Sequence, residues 1–166
     1  MPARILIVED DPVQRMDLRH VLIEEGYQVV GETADGETAV DLARSLQPDL
    51  VIMDLILRAQ NSLNAAALLR QEDIAPVIVL SAFNDAHFVT SAIHAGVHNY
   101  LIKPLLASEV KPAVEMALAS YAKQRELAAR ADLITQELAQ RKRAEREKGI
   151  ELERKNIIKW KTNWEL

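Results

Sequence analysis

The sequence predicts a doubly wound α/β fold, a five-stranded parallel sheet covered by helices on both faces, with a helical extension at its C-terminal end. Three observations predict it. Short apolar runs alternate with helical patterns through the first 120 residues. Four of the five runs are nearly uninterrupted aliphatics, which suits strands buried on both faces of a parallel sheet. Acidic, hydroxyl and basic residues follow the ends of those runs, where parallel α/β sheets gather their functional groups.

The elements follow in order. The strand runs are Ile5-Leu6-Ile7-Val8, Gln28-Val29-Val30, Leu50-Val51-Ile52-Met53, Val77-Ile78-Val79-Leu80 and Tyr100-Leu101-Ile102. Helical patterns fall near 13–25, 36–46, 63–72, 85–95 and from 106 onward. Asp11-Pro12 reads as an N-cap with proline at the first helical position, and Gly26 as the stop of that helix. Asp35-Gly36 and Ala95-Gly96 punctuate in the same manner. Five βα units with right-handed crossovers give a flavodoxin-like sheet in the order 2-1-3-4-5.

The net charge of −5 conceals two parts. Residues 1–120 carry 17 acids against 8 Lys/Arg, whereas 121–166 carry 8 acids against 12 Lys/Arg. The expected division is a globular domain over 1–122 and a charged helical or coiled-coil extension over 123–166. In the extension, Leu127, Ala131, Ile134 and Leu138 start a heptad seam that fails across the charged stretch 140–148. Ile150, Ile157, Trp160 and Trp164 resume an apolar stripe, with Gly149 a weak point between the two. No run approaches the roughly 18 apolar residues of a membrane span, and Met1-Pro2-Ala3-Arg4 leads straight into a strand without a signal-peptide pattern. Zero cysteines exclude disulfides, thiol catalysis and thiolate zinc sites. A cytoplasmic protein is the expectation.

Glu9, Asp10 and Asp11 follow strand one, Asp54 ends strand three, Ser81 ends strand four and Lys103 ends strand five. Strands one and three flank the point where strand order reverses, so one acidic pocket would hold several carboxylates, a hydroxyl and an ammonium. Clustered carboxylates repel, and a hard divalent cation such as Mg²⁺ relieves the repulsion. A metal beside Asp54 would screen an incoming phosphoryl group and let the carboxylate attack phosphorus in line, with Lys103 and Ser81 meeting its oxygens. Taken singly, each residue has a plainer reading: Asp11 as a helix cap, Asp54 and Ser81 as turn residues, Lys103 as a surface charge. The conjunction at one sheet edge is what points to phosphoryl acceptance. The histidines His20, His87, His94 and His98 read as surface residues, and no P-loop, G-x-G-x-x-G or Ser-His-Asp pattern is present.

Over about residues 3–122 the sequence resembles the response-regulator receiver family of two-component signalling. The resemblance rests on Ile5-Leu6-Ile7-Val8-Glu9-Asp10-Asp11, Val51-Ile52-Met53-Asp54, Val79-Leu80-Ser81-Ala82 and Tyr100-Leu101-Ile102-Lys103-Pro104. It implies Asp54 as phosphoacceptor, Glu9 and Asp10 with Asp54 as the Mg²⁺ ligands, Ser81 and Lys103 as phosphoryl-binding residues and Tyr100 as the aromatic switch. It also implies a cis Lys103-Pro104 bond, and signalling through the face made by helix four, strand five and helix five. A histidine kinase or phosphotransfer protein is the implied partner and the protein is not expected to be an enzyme. A phosphatase built on Asp54 would need a second Asp two residues on, where Ile56 stands.

Two departures matter. Arg58, Asn61 and Ser62 occupy places where the family commonly has proline and an Asp-Gly turn, so the loop 55–64 is expected to be unusual. Ile56 and Phe83, two beyond Asp54 and two beyond Ser81, cannot orient a water, so self-dephosphorylation is expected to be slow. A closer resemblance is to antitermination-type (ANTAR) response regulators, carried by Arg15-Met16-Asp17-Leu18, Gly26-Tyr27-Gln28-Val29-Val30-Gly31-Glu32, Ile74-Ala75-Pro76-Val77-Ile78-Val79-Leu80 and the run from Arg141 to Ile150. That subfamily ends in a small RNA-binding helical domain. With 16 residues after Ile150, a shortened version is expected here. The leading expectation for the extension is therefore a homodimer through a coiled coil, and RNA binding by the basic helix is the alternative.

Overall fold

The computed structural model describes residues 1–58 and 60–164. They divide into two units, Met1–Lys123 and Gln124–Leu166. The first unit carries the strands β1 (Arg4–Val8), β2 (Gln28–Thr33), β3 (Leu50–Asp54), β4 (Ile56–Leu57), β5 (Gln60–Asn61), β6 (Val77–Ser81) and β7 (Asn99–Ile102). Its helices are α1 (Pro12–Glu24), α2 (Gly36–Leu46), α3 (Leu63–Gln71) and α4 (Ala86–Ala95), and α5 (Ala107–Trp164) starts in this unit.

Five strands form one parallel sheet in the order β2-β1-β3-β6-β7, the predicted order once the short pair β4-β5 is set aside. The aliphatic runs are legible because β1, β3 and β6 are central and covered on both faces. Ile5, Leu6, Ile7, Leu50, Val51, Ile78 and Val79 are fully buried. Alternation then sorts the side chains. Leu6, Val8, Val51, Met53, Val77 and Val79 pack with α2 and α3 through Ala39, Val40, Ala43, Ala66 and Leu69. Ile5, Ile7, Leu50, Ile52, Ile78 and Leu80 pack with α1 and α5 through Leu18, Leu22, Val110, Val114 and Ala117. Each fully buried aliphatic contributes roughly 1.5–3 kcal/mol of transfer free energy, and these two layers hold the strand ends in register.

The expected punctuation is in place. The Asp11 carboxylate accepts hydrogen bonds from Val13 N and Gln14 N, Asp35 accepts from Thr38 N, and Gly96 closes α4 at φ +80°. Lys103-Pro104 is cis. The loop after β3 is a tight antiparallel hairpin pairing Ile56 with Asn61 and Leu57 with Gln60, entered through Arg58 at φ +47°.

In the second unit the residues from Gln124 to Trp164 are helical, and the helix passes through Gly149 without a break. Leu127, Ile134, Leu138, Ile150, Ile157 and Trp160 are all more than half exposed, while the Trp164 side chain lies outside the described residues. Three i,i+4 ion pairs, Glu126–Arg130, Arg143–Glu147 and Glu151–Lys155, line its solvated surface. No helix among the described residues is long and apolar enough to cross a membrane.

Candidate functional site

Neighbouring strands β1 and β3 deliver their C-terminal residues to one rim of the sheet. Asp54 is the last residue of β3, and Glu9 and Asp10 follow β1 directly. One carboxylate oxygen from each of Glu9, Asp10 and Asp54 lies within 4.8 Å of the other two. Lys103, just beyond β7, reaches across the rim. Its Nζ donates to Asp54 Oδ2 at 2.7 Å, Glu9 Oε2 at 2.8 Å and Gln14 Oε1 at 2.6 Å, so all three ammonium protons are used.

Backbone amides hold the carboxylates. Glu9 Oε1 accepts from Asp11 N, Asp10 Oδ2 accepts from Arg58 N at 2.9 Å, and Asp54 Oδ1 accepts from Ile56 N. The Ser62 hydroxyl donates to the Asp54 carbonyl, and Ser62 N donates to the Leu55 carbonyl, fastening the hairpin under the site.

The electrostatics follow from burial. Glu9 is 2% exposed, and desolvation raises its carboxyl above the usual range even though Lys103 and the Asp11 amide pull the other way. Burial works against the Lys103 ammonium as well, but its hydrogen bonds to Asp54 and Glu9 outweigh that and leave it raised, hence charged. One ammonium thus bridges two of the three clustered carboxylates and can balance the charge of only one. The remaining donors are hard oxygens, the set that a small divalent cation takes.

Ser81 is fully buried at the end of β6, its Oγ accepting from Phe83 N at 2.9 Å. Tyr100, on β7, donates its hydroxyl to the Phe83 carbonyl at 2.7 Å. Phe83 therefore links the two hydroxyls through its own backbone. Asp11 is not part of the carboxylate cluster; it caps α1, and those amide hydrogen bonds hold its carboxyl below the usual range. His98 departs from the surface role expected of it. It is half-buried, its Nδ1 accepting weakly from Val77 N and its ring meeting Tyr121 edge-on at 5.5 Å.

Sequence reading missed Gln14 and the backbone roles of Arg58 and Phe83. A glutamine three residues after an N-cap looks like a solvated first-turn residue, and amide donors leave no mark in side-chain identity.

The chain matches the family described as the response regulator receiver domain over residues 5–115. It belongs to the receiver family of response regulators. This receiver is 41% identical over 150 residues to the transcriptional regulatory protein PdtaR of Mycobacterium tuberculosis, spanning 90% of this chain and 73% of that protein. That similarity outruns the receiver match and reaches into the helix beyond Lys123, in keeping with the antitermination-type resemblance. Among solved structures, the receiver is similar to the signal receiver domain of a modulated diguanylate cyclase from Desulfovibrio desulfuricans, with a TM-score of 0.69, 30% identity, and coverage of 75% of this chain and 99% of that one. It is also similar to a chain of the CheX–CheY–BeF3–Mg²⁺ complex of Borrelia burgdorferi, with a TM-score of 0.64, 25% identity, and coverage of 69% and 87%.

Proposed function

We propose that this response regulator accepts a phosphoryl group on Asp54, with Mg²⁺ held by Glu9, Asp10 and Asp54, from a histidine kinase or a phosphotransfer protein. The observation that carries the reading is the Lys103 ammonium bridging Asp54 and Glu9 beside a third carboxylate. Bound Mg²⁺ would supply the positive charge that lets an anionic donor approach an anionic pocket. A carboxylate oxygen of Asp54 bonds to phosphorus as the bond from phosphorus to the donor nitrogen or oxygen breaks, its electron pair leaving with the donor. Lys103 stays protonated and follows the phosphoryl oxygens. Ser81, whose oxygen accepts from Phe83 N, keeps its own proton to donate to one of them.

Switching runs through Phe83. Drawing Ser81 toward a phosphorylated Asp54 strains the Phe83 N–Ser81 bond, and the same residue's carbonyl holds Tyr100. The α4-β7-α5 face is remodelled as a result, and Ile56 and Phe83 leave the phosphoryl group without a side chain that orients water. The receiver domain is read as 1–122, with the signal passing to the helical extension 123–166. The exposed apolar positions Leu127, Ile134 and Leu138 favour pairing with a second copy of the chain as output.

The test is incubation with acetyl phosphate and Mg²⁺. A stable mass gain of about 80 Da, one phosphoryl group, that is lost in Asp54→Asn supports the reading. Continuous release of phosphate would mark a phosphatase instead, and salt-dependent binding of structured RNA by the full chain would favour the RNA-binding alternative.

A further inference from the structure

The first turn of α1 breaks a local rule. Asp11 at the N-cap and Gln14 three residues later have the residue types of a capping box, in which the glutamine oxygen accepts from the N-cap amide. Here the Asp11 amide donates to Glu9 Oε1 instead. Gln14 turns its carbonyl outward to Lys103 Nζ at 2.6 Å, the shortest of that ammonium's three hydrogen bonds. The Gln14 side-chain amide nitrogen faces Asp11 Oδ2 at 3.4 Å, which orients the carbonyl toward the ammonium.

We infer that Gln14 is a positioning residue for phosphoryl transfer, holding the Lys103 ammonium over the Asp54 carboxylate. The inference rests on the reading of Asp54 as phosphoacceptor. Of the three acceptors around Lys103, two are carboxylates of the acidic cluster. Those two change partners when a cation and a phosphoryl group arrive. Gln14 is the neutral one, anchored in a capped helix turn and absent from the cluster. It therefore keeps its hold on the ammonium through the reaction, adding no negative charge to repel the donor and no ligand to compete for the cation. A carboxylate in its place would hold Lys103 as well but would deepen the pocket's negative charge; an apolar side chain would leave the third N–H to bulk water.

The test compares the full-length wild type with Gln14→Met and Gln14→Glu. Gln14 is exposed, so both variants should fold, and their thermal melts should match the wild type. Phosphorylation by acetyl phosphate at saturating Mg²⁺ should slow about tenfold in Gln14→Met, at the low end of what a hydrogen bond to a charged group is worth. Gln14→Glu should slow less than Gln14→Met, because it restores the acceptor but adds a negative charge that opposes the donor. Mg²⁺ affinity measured by calorimetry should be unchanged in Gln14→Met, since Gln14 touches no carboxylate of the cluster. The ammonium protons of Lys103, followed by ¹⁵N NMR without any phosphodonor, should exchange slowly in the wild type and rapidly in Gln14→Met. Wild-type phosphorylation and exchange rates in Gln14→Met would overturn the inference, as would a loss of Mg²⁺ affinity as large as the loss of rate. If the wild type takes up no phosphoryl group, it is the reading of Asp54 that fails, and the NMR comparison still decides whether Gln14 holds the ammonium.

Discussion

Replacing Lys103 with methionine would leave Glu9 and Asp54 facing each other without their shared cation. Both are well covered, Glu9 at 2% and Asp54 at 13% side-chain exposure. Carboxylate oxygens separated by at most 4.8 Å repel by roughly 3.5 kcal/mol or more at an effective dielectric near 20. Stranding a buried charge by deleting its partner costs about 3–5 kcal/mol by experience elsewhere, so the two routes agree. The loss should depend on pH with a definite sign. Burial already raises the Glu9 carboxyl, and removing Lys103 deletes an interaction that lowers it, so it rises further. Between the unfolded value near 4.5 and the raised folded value, the native state binds more protons than the unfolded chain. Stability therefore falls as pH rises through that window and returns as pH falls. Urea denaturation of Lys103→Met in chelator should show the full deficit at about pH 8 and much less at about pH 5. Mg²⁺ at a hundredfold excess over its dissociation constant should return about 2.7 kcal/mol. A variant with the wild-type urea midpoint at alkaline pH, or with a deficit indifferent to both pH and Mg²⁺, would refute the electrostatic account.

Other outcomes follow from the same geometry. Once phosphorylated, the protein should lose its phosphoryl group slowly because Ile56 and Phe83 cannot orient water; a half-life of seconds in Mg²⁺ buffer, followed by mass spectrometry, contradicts this. Tyr100→Phe removes the hydrogen bond to the Phe83 carbonyl and should cost about 1 kcal/mol. It should also shrink the chemical-shift changes that beryllofluoride produces across α4 and β7, while an unchanged shift pattern would remove Tyr100 from the switch. Asp35→Ala deletes the cap of α2 and should cost about 1 kcal/mol in urea unfolding. Because the cap holds the Asp35 carboxyl below 3.8, the wild type should lose this contribution as pH falls through that region, narrowing its advantage over the variant. Finally, light-scattering mass with and without beryllofluoride should report a dimer that Leu127→Lys with Ile134→Lys dissociates. A monomer under every condition would leave the helix without that output.

How much of this was legible in sequence depended on what kind of group does each job. Strands β1, β3 and β6 announced themselves because a central parallel strand must be apolar on both faces, and Ile5 to Val8 has no polar residue to blur the pattern. Glu9, Asp10, Asp54, Ser81 and Lys103 could be placed because topology sends the ends of strands to one rim whatever the loops do. The hairpin of β4 and β5 was beyond reach. Two-residue strands are too short to show a period, and the turn relies on a positive φ at Arg58, an arginine where glycine or asparagine would have given the signal. Gln14 escaped for a different reason. Its spacing from Asp11 fits an ordinary helix start, and only the three-dimensional placement of Lys103 shows that its carbonyl is used elsewhere. Nor does any residue code declare that the amide of Arg58 will meet Asp10.

The amides that pin the acidic side chains also ration them. Each of the three carboxylates has already committed lone pairs: Glu9 to Asp11 N and Lys103, Asp10 to Arg58 N, Asp54 to Ile56 N and Lys103. An ion that needs to be clasped by both oxygens of several carboxyl groups, as calcium commonly is, would have to break those ties. A smaller ion that accepts one oxygen from each neighbour and keeps much of its own hydration can enter with most of them intact. On the proposed reading, discrimination between the two would rest on the main chain around the pocket and would leave hydrated positions on the smaller ion for a phosphoryl oxygen.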